Sequence, residues 1–75
     1  PEADARARVL FEQGASAFSA GEYEVALECF QRAHTLSGRP ALLYNIGVTR
    51  ERLGRDAGAL EAYRAFLAAV PGAEN

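Results

Sequence analysis

A pattern of glycines, alanines and aromatics runs through this chain twice. Gly14, Gly21, Ala26 and Phe30 recur as Gly47, Gly54, Ala59 and Tyr63, each pair 33 positions apart, and Leu10 and Leu27-Glu28 return at the same offset as Leu43 and Leu60-Glu61. Self-similarity at a period in this range marks a stacked-repeat architecture, in which one supersecondary unit cannot bury its apolar face alone. Function in such a chain belongs to a surface made by stacked helices rather than to a buried chemical site.

Between these landmarks the apolar residues fall at helical spacing. The pattern predicts a first helix over roughly Asp4 to Ser19, carrying Val9, Leu10, Phe11 and Phe18, with Gly21 in the left-handed position that ends it. A second helix is expected over Glu22 to Leu36, where Tyr23, Ala26, Leu27, Phe30 and Ala33 follow the i, i+3, i+4, i+7 rule. Ser37-Gly38-Arg39-Pro40 interrupts the pattern: Gly38 stops one helix and Pro40 suits the first turn of the next. The third helix is expected from Ala41 to Leu53, with Leu43, Tyr44, Ile46, Gly47 and Val48 inside it and Gly54 beyond its end. The fourth is expected from Asp56, as N-cap, to Val70, ended by Pro71-Gly72, with Glu74 and Asn75 frayed. Connections this short force antiparallel neighbours, so the expected fold is all-α, two helical hairpins of four helices.

Gly14 and Gly47 fall in mid-helix, where glycine costs about 1 kcal/mol relative to alanine. So unfavourable a residue at one repeat position in both copies implies close helix approach. Ala26 and Ala59 are the expected small counterparts, Phe30 and Tyr63 the fillers one turn further along, and Leu10 and Leu43 the residues that complete each hairpin's core.

At these residues the chain resembles the tetratricopeptide repeat family, whose pattern is an apolar residue, Leu-Gly, an aromatic, Ala-x₃-aromatic and a terminal proline. The first copy reads Leu10, Gln13-Gly14, Gly21-Glu22-Tyr23, Ala26 and Phe30; the second reads Leu43, Ile46-Gly47, Ala59, Tyr63 and Pro71. The resemblance covers Ala7 to Pro71. It implies one domain over residues 1–75, with repeat one at about 7–39 and repeat two at about 40–72, stacked as a short right-handed superhelix. It also implies a non-enzymatic module for protein–protein interaction.

Several positions depart from the family pattern. Ala17 and Arg50 stand where an aromatic is expected, Gln13 replaces the leucine before Gly14, and Asp56 stands where the first copy has Tyr23. Phe66 stands where the first copy has Ala33, a position the family keeps small so that the next repeat can pack. Phe66 therefore implies that no ordinary third repeat follows directly, and acts either as a terminal plug or as an anchor for a partner.

In this family the first helix of each hairpin lines a concave groove that receives peptides or protein segments. By position the groove residues here are Arg8, Phe11, Glu12, Ala15, Phe18 and Ser19, then Tyr44, Asn45, Val48, Glu51 and Arg52. They would form an apolar floor with an arginine/glutamate rim, the usual ingredients of an interaction hot spot. Phe11 and Phe18 belong either to that floor or to the core, whereas Tyr44 can keep its hydroxyl wet while its ring packs. Some family members grip a C-terminal carboxylate with lysine, asparagine and arginine on three successive repeats. Only Asn45 matches, and Phe11 and Ala15 occupy the clamp's lysine and asparagine positions, so that mode is rejected. The expected ligand presents apolar side chains, for instance as an amphipathic helix.

Other chemistry finds little support. Cys29 and His34 are the only cysteine and histidine and their spacing suits no shared metal, so no disulfide, metal site or cofactor is expected. The glycines are isolated or at helix ends and cradle no phosphate. Eight basic residues against ten acidic give a net charge of −2, which implies neither nucleic-acid binding nor a polybasic membrane patch. No apolar run approaches the roughly 20 residues needed to span a bilayer. All eight basic residues are arginine, either from a GC-rich genome or because flat bidentate contacts are wanted.

Three functional readings follow. The chain is an adaptor docking another protein's segment; or it self-assembles, a second copy covering Leu60, Phe66, Leu67 and Val70; or it is part of a longer superhelix, as a start at Pro1 without methionine implies. The arginine- and alanine-rich style resembles repeats of GC-rich bacteria, which implies a bacterial cytoplasm or cell envelope.

Overall fold

The computed structural model describes residues 1–70 and 72. Four helices follow one another: α1 (Glu2–Ser19), α2 (Tyr23–Ser37), α3 (Ala41–Arg52) and α4 (Asp56–Ala69). α1 packs on α2 and α3 on α4 as two hairpins, and α2 packs on α3 to join them. The chain is all-α, as the repeat period requires. The expectations for Pro71, Glu74 and Asn75 lie outside the described residues.

The two hairpin turns are the same structure built twice. Gly21 and Gly54 adopt φ of +78° and +75°, a left-handed conformation open to glycine without the Cβ penalty. The Gly21 N–H donates to the Phe18 carbonyl at 3.0 Å and the Glu22 N–H to Ala17 at 2.8 Å. In the second copy Gly54 donates to Glu51 at 2.9 Å and Arg55 to Arg50 at 2.8 Å. These are the paired bonds of a Schellman motif, which satisfies the last carbonyls of one helix while reversing the chain. Glu22 and Arg55 then cap the next helix through their carbonyls, which accept from Ala26 and Ala59 at 2.9 Å each. Arg55, not Asp56, is therefore the N-cap of α4, and no side chain caps it. The turn is so tight that Asp56 is already helical, in the first turn where an acidic side chain complements the helix dipole.

The groups facing Gly14 and Gly47 are not the small alanines but the aromatic rings themselves. A Cβ added at Gly14 would lie 2.8 Å from Cε1 of Phe30, and one at Gly47 would lie 2.5 Å from Cε1 of Tyr63. Each hairpin thus stacks a flat ring directly onto bare backbone.

The core is one cluster rich in small residues: Ala7, Ala17, Ala26, Leu27, Phe30, Ala33, Leu42, Ile46 and Ala62, with Leu10, Phe18, Leu36 and Leu53 packed against it. Equivalent positions are buried unequally. Leu42 is 5% exposed where its counterpart Val9 is 52%, and Leu27 is 6% exposed where Leu60 is 49%. Ile46 and Thr49 are buried where Gln13 and Ser16 are exposed. The cause is position in the stack: α3 is held between α2 and α4, whereas α1 and α4 each have one uncovered side. For the same reason Leu42, rather than the expected Leu43, supplies the core of α3. Thr49 satisfies its buried hydroxyl by donating to the Asn45 carbonyl at 2.7 Å.

Candidate interaction groove

The first helix of each hairpin contributes to a cleft of about 350 Å³ lined by Phe11, Ala15, Phe18 and Ser19 of α1, Phe30 of α2, and Tyr44, Asn45 and Val48 of α3. Seven of these eight were anticipated by repeat position. Phe30, which floors the cleft from α2, was not; its signal was the glycine it covers, since at Gly14 no side chain stands between the ring and α1.

The rings are fixed by packing and yet open to solvent. Phe11 stacks on Phe30 with centroids 5.9 Å apart, and Tyr44 contacts both Tyr63 at 5.7 Å and Phe66 at 5.8 Å. Phe11 nevertheless stays 41% exposed and Tyr44 51%, so neither is spent on the core. Phe18 is half-buried against Tyr23 in an edge-on pair at 5.1 Å.

A second cavity of about 290 Å³ continues the cleft toward the start of α1 and α3. Asp4, Ala7, Arg8, Phe11, Ser37, Arg39, Ala41, Leu42 and Asn45 line it. Phe11 and Asn45 border both cavities, so the two form one groove. Arg8 thus lies in the groove, but around its second chamber. Arg39, from the connection between repeats, was not anticipated there.

The remaining expected residues occupy the rim or lie off it. The Arg52 guanidinium lies 5.4 Å from the Phe18 ring centroid and its Nη1 donates to the Tyr23 hydroxyl at 3.4 Å. Glu51 accepts a hydrogen bond from the Tyr63 hydroxyl. Partial burial, then the bond to Glu51 and its charge, push the Tyr63 phenol from 10.0 up to about 12. Glu12 is exposed and lines neither chamber. On α4, Leu60 and Leu67 form an exposed stripe, 49% and 38% accessible. Phe66, grouped with them on sequence grounds, instead stacks on Tyr44 at the groove's edge, and Val70 is half-buried.

Arg50, which stands where the repeat pattern has an aromatic, closes the back of the second hairpin. Its Nη1 donates to the Gly58 carbonyl at 3.0 Å and lies 3.9 Å from Oε1 of Glu61. A Cβ at Gly58 would come within 3.2 Å of Arg50 Cδ. The first copy has Ala17 and Val25 at these two positions, so a small–large pair has exchanged sides between repeats. That reciprocal exchange was legible in the sequence.

Among the described residues no group of three or more His, Cys, Asp or Glu side chains is placed to hold a metal ion. No described helix is long and apolar enough to cross a membrane.

Residues 7–39 match one family description of the tetratricopeptide repeat, and residues 41–73 match another. Comparison with curated proteins and with solved structures gave no match. The chain belongs to the tetratricopeptide repeat family, as two tandem copies of a unit that generally serves protein–protein interaction.

Proposed function

We propose that this chain is a non-enzymatic docking module, folded as a single unit, that receives a segment of another protein along the groove between α1 and α3. The observation that carries the reading is the state of Phe11 and Tyr44: both rings are held by aromatic neighbours, and both remain about half exposed beside an apolar cleft. Rings already fixed before binding lose little conformational freedom when a ligand covers them. Val48, Ala15 and Phe18 supply the floor between them.

The test is to pan an unbiased displayed-peptide library on the protein, and to measure the selected peptides by fluorescence anisotropy against Tyr44→Ser and Val48→Ser variants. Selected peptides that lose affinity for both variants support the groove. Peptides that bind both variants as tightly as the parent place the ligand elsewhere and refute it.

A second reading rests on α4. Leu60 is 49% exposed where its equivalent Leu27 is 6%, which is the burial that a further element on α4 would supply. That element is either a second copy of this chain or a further repeat. Sedimentation equilibrium over a hundredfold concentration range separates the cases for the isolated chain. A monomer throughout removes self-assembly, and a tight dimer abolished by Leu60→Ser with Leu67→Ser establishes it.

A further inference from the structure

The groove is chemically different at its two ends. At the end formed by Phe18, Ser19 and Val48, the nearby charges are already engaged. Arg52 covers the Phe18 ring and reaches the Tyr23 hydroxyl, and Glu51 accepts the Tyr63 hydroxyl. At the other end Arg8 and Arg39 line the second chamber. Among the described residues the ion pairs are Arg50–Glu61 and Arg55–Glu24, so neither of these two guanidinium groups is matched. Among the described residues Asp4 is the one acidic side chain lining that chamber. Two guanidinium groups without an ion pair, with the single Asp4 carboxylate beside them, thus border one end of the groove.

We infer that the groove reads its ligand with polarity: an apolar anchor seated over Ala15 between Phe11, Tyr44 and Val48, and a side-chain carboxylate (Asp or Glu) held by Arg8 and Arg39. This rests on the groove reading above and specifies its ligand. The guanidinium fork suits a carboxylate because it offers parallel N–H donors in one plane, and Asn45, which borders both chambers, supplies a neutral amide between them. The spacing follows from α1. Arg8 and Ala15 are seven residues apart, which at about 1.5 Å rise per residue is ~10 Å. A helical ligand bridges ~10 Å in two turns, so its acid stands about seven positions from its anchor; an extended ligand bridges it in about three residues. The arginines lie on α1 and on the inter-repeat connection, not at the positions where the three-repeat carboxylate clamp would need its lysine and asparagine, which are Phe11 and Ala15 here.

The peptides selected from the displayed library provide the test. They are sequenced, then titrated against the parent, Arg8→Gln and Arg39→Gln, with each peptide's acid also changed to its amide. Both arginines are exposed, and circular dichroism verifies that the variants fold. The inference expects Asp or Glu enriched at the stated spacing, and binding weakened about fivefold by each arginine change, the upper range for a solvent-facing ion pair. Losing the peptide acid should then cost little in the doubly substituted protein. Peptides with apolar anchors that show no acid enrichment and bind Arg8→Gln and Arg39→Gln like the parent overturn the polarity and leave the groove standing. Failure to select any peptide overturns both.

Discussion

Replacing Gly14 by alanine sets two effects of known size against each other. Helix propensity alone makes alanine about 1 kcal/mol better in mid-helix. The new Cβ, however, would meet Phe30 Cε1 at 2.8 Å, Phe30 Cδ1 at 2.9 Å and Cys29 Cβ at 3.1 Å. Phe30 is 4% exposed and already packed on Phe11, so its ring cannot retreat without giving up that contact or filling the cleft it floors. Overpacking a closed site costs about 1–3 kcal/mol, and here the upper half of that range applies. The net expectation for Gly14→Ala is a loss of about 1–2 kcal/mol. At Gly47 the approach is closer, 2.5 Å to Tyr63 Cε1, but Tyr63 is only half-buried and can swing outward. It then forfeits the Tyr44 contact, about 0.5–1.5 kcal/mol, and the Glu51 hydrogen bond, about 1 kcal/mol. Less the propensity gain, Gly47→Ala should lose about 1 kcal/mol. Gly58→Ala meets only the flexible stem of Arg50 at 3.2 Å and should be neutral or gain up to ~0.5 kcal/mol. Urea unfolding followed by far-UV circular dichroism, at a common m-value, ranks the three. A gain of about 1 kcal/mol from Gly14→Ala, as propensity alone demands, or a cost that persists undiminished in a Phe30→Leu background, would refute overpacking against the Phe30 ring.

Leu27→Ala should cost about 2–4 kcal/mol and Leu60→Ala under about 1 kcal/mol, because the two equivalent leucines differ in burial; equal losses in urea unfolding would show that α4 is covered. Arg50→Ala removes the bond to the Gly58 carbonyl and should cost about 1–2 kcal/mol, with Arg50→Lys recovering only part of it in the same assay. For Tyr63, whose phenol is raised from 10.0 to about 12, the folded state holds the proton more tightly than the unfolded state. Its contribution to stability is therefore complete below pH 10 and lost as pH rises toward 12. The parent-minus-Tyr63→Phe phenolate absorbance should show a midpoint near 12 that falls when Glu51 becomes glutamine; an ordinary midpoint in the parent would contradict the placement of the ring.

The helix ends were legible because glycine marks them: Gly21 and Gly54 fixed both hairpin turns to within a residue or two. The groove floor was legible for a different reason. Once two copies are in register, repeat position alone assigns Phe11, Ala15, Tyr44 and Val48 to one face. The differences between the copies could not be read so directly. Leu42 and Leu43 are both apolar on α3, and only the presence of helices on both sides of α3 decides that Leu42 is the buried one. The capping role given to Asp56 failed because a Schellman turn carries the chain into α4 one residue earlier, at Arg55. Phe66 turned toward Tyr44 rather than toward Leu60 and Leu67 because those leucines lie on a different stripe of the helix. Nothing in the repeat pattern marks Arg39, because Ser37-Gly38-Arg39-Pro40 carries only helix-ending signals.

Each helix packs chiefly on its neighbour in sequence: α1 on α2, α2 on α3, α3 on α4. Such a chain never has to bring its ends together, so the search for the folded state is short and local and the rate should be high for its size. The α2–α3 seam is then where the two hairpins become one cooperative unit, since the buried Leu42 and Ile46 of the second repeat share one cluster with Ala7, Leu27 and Phe30 of the first. Loosening that seam would let α4 and α1 open on separate occasions, and amide exchange would register it as two rates where there had been one.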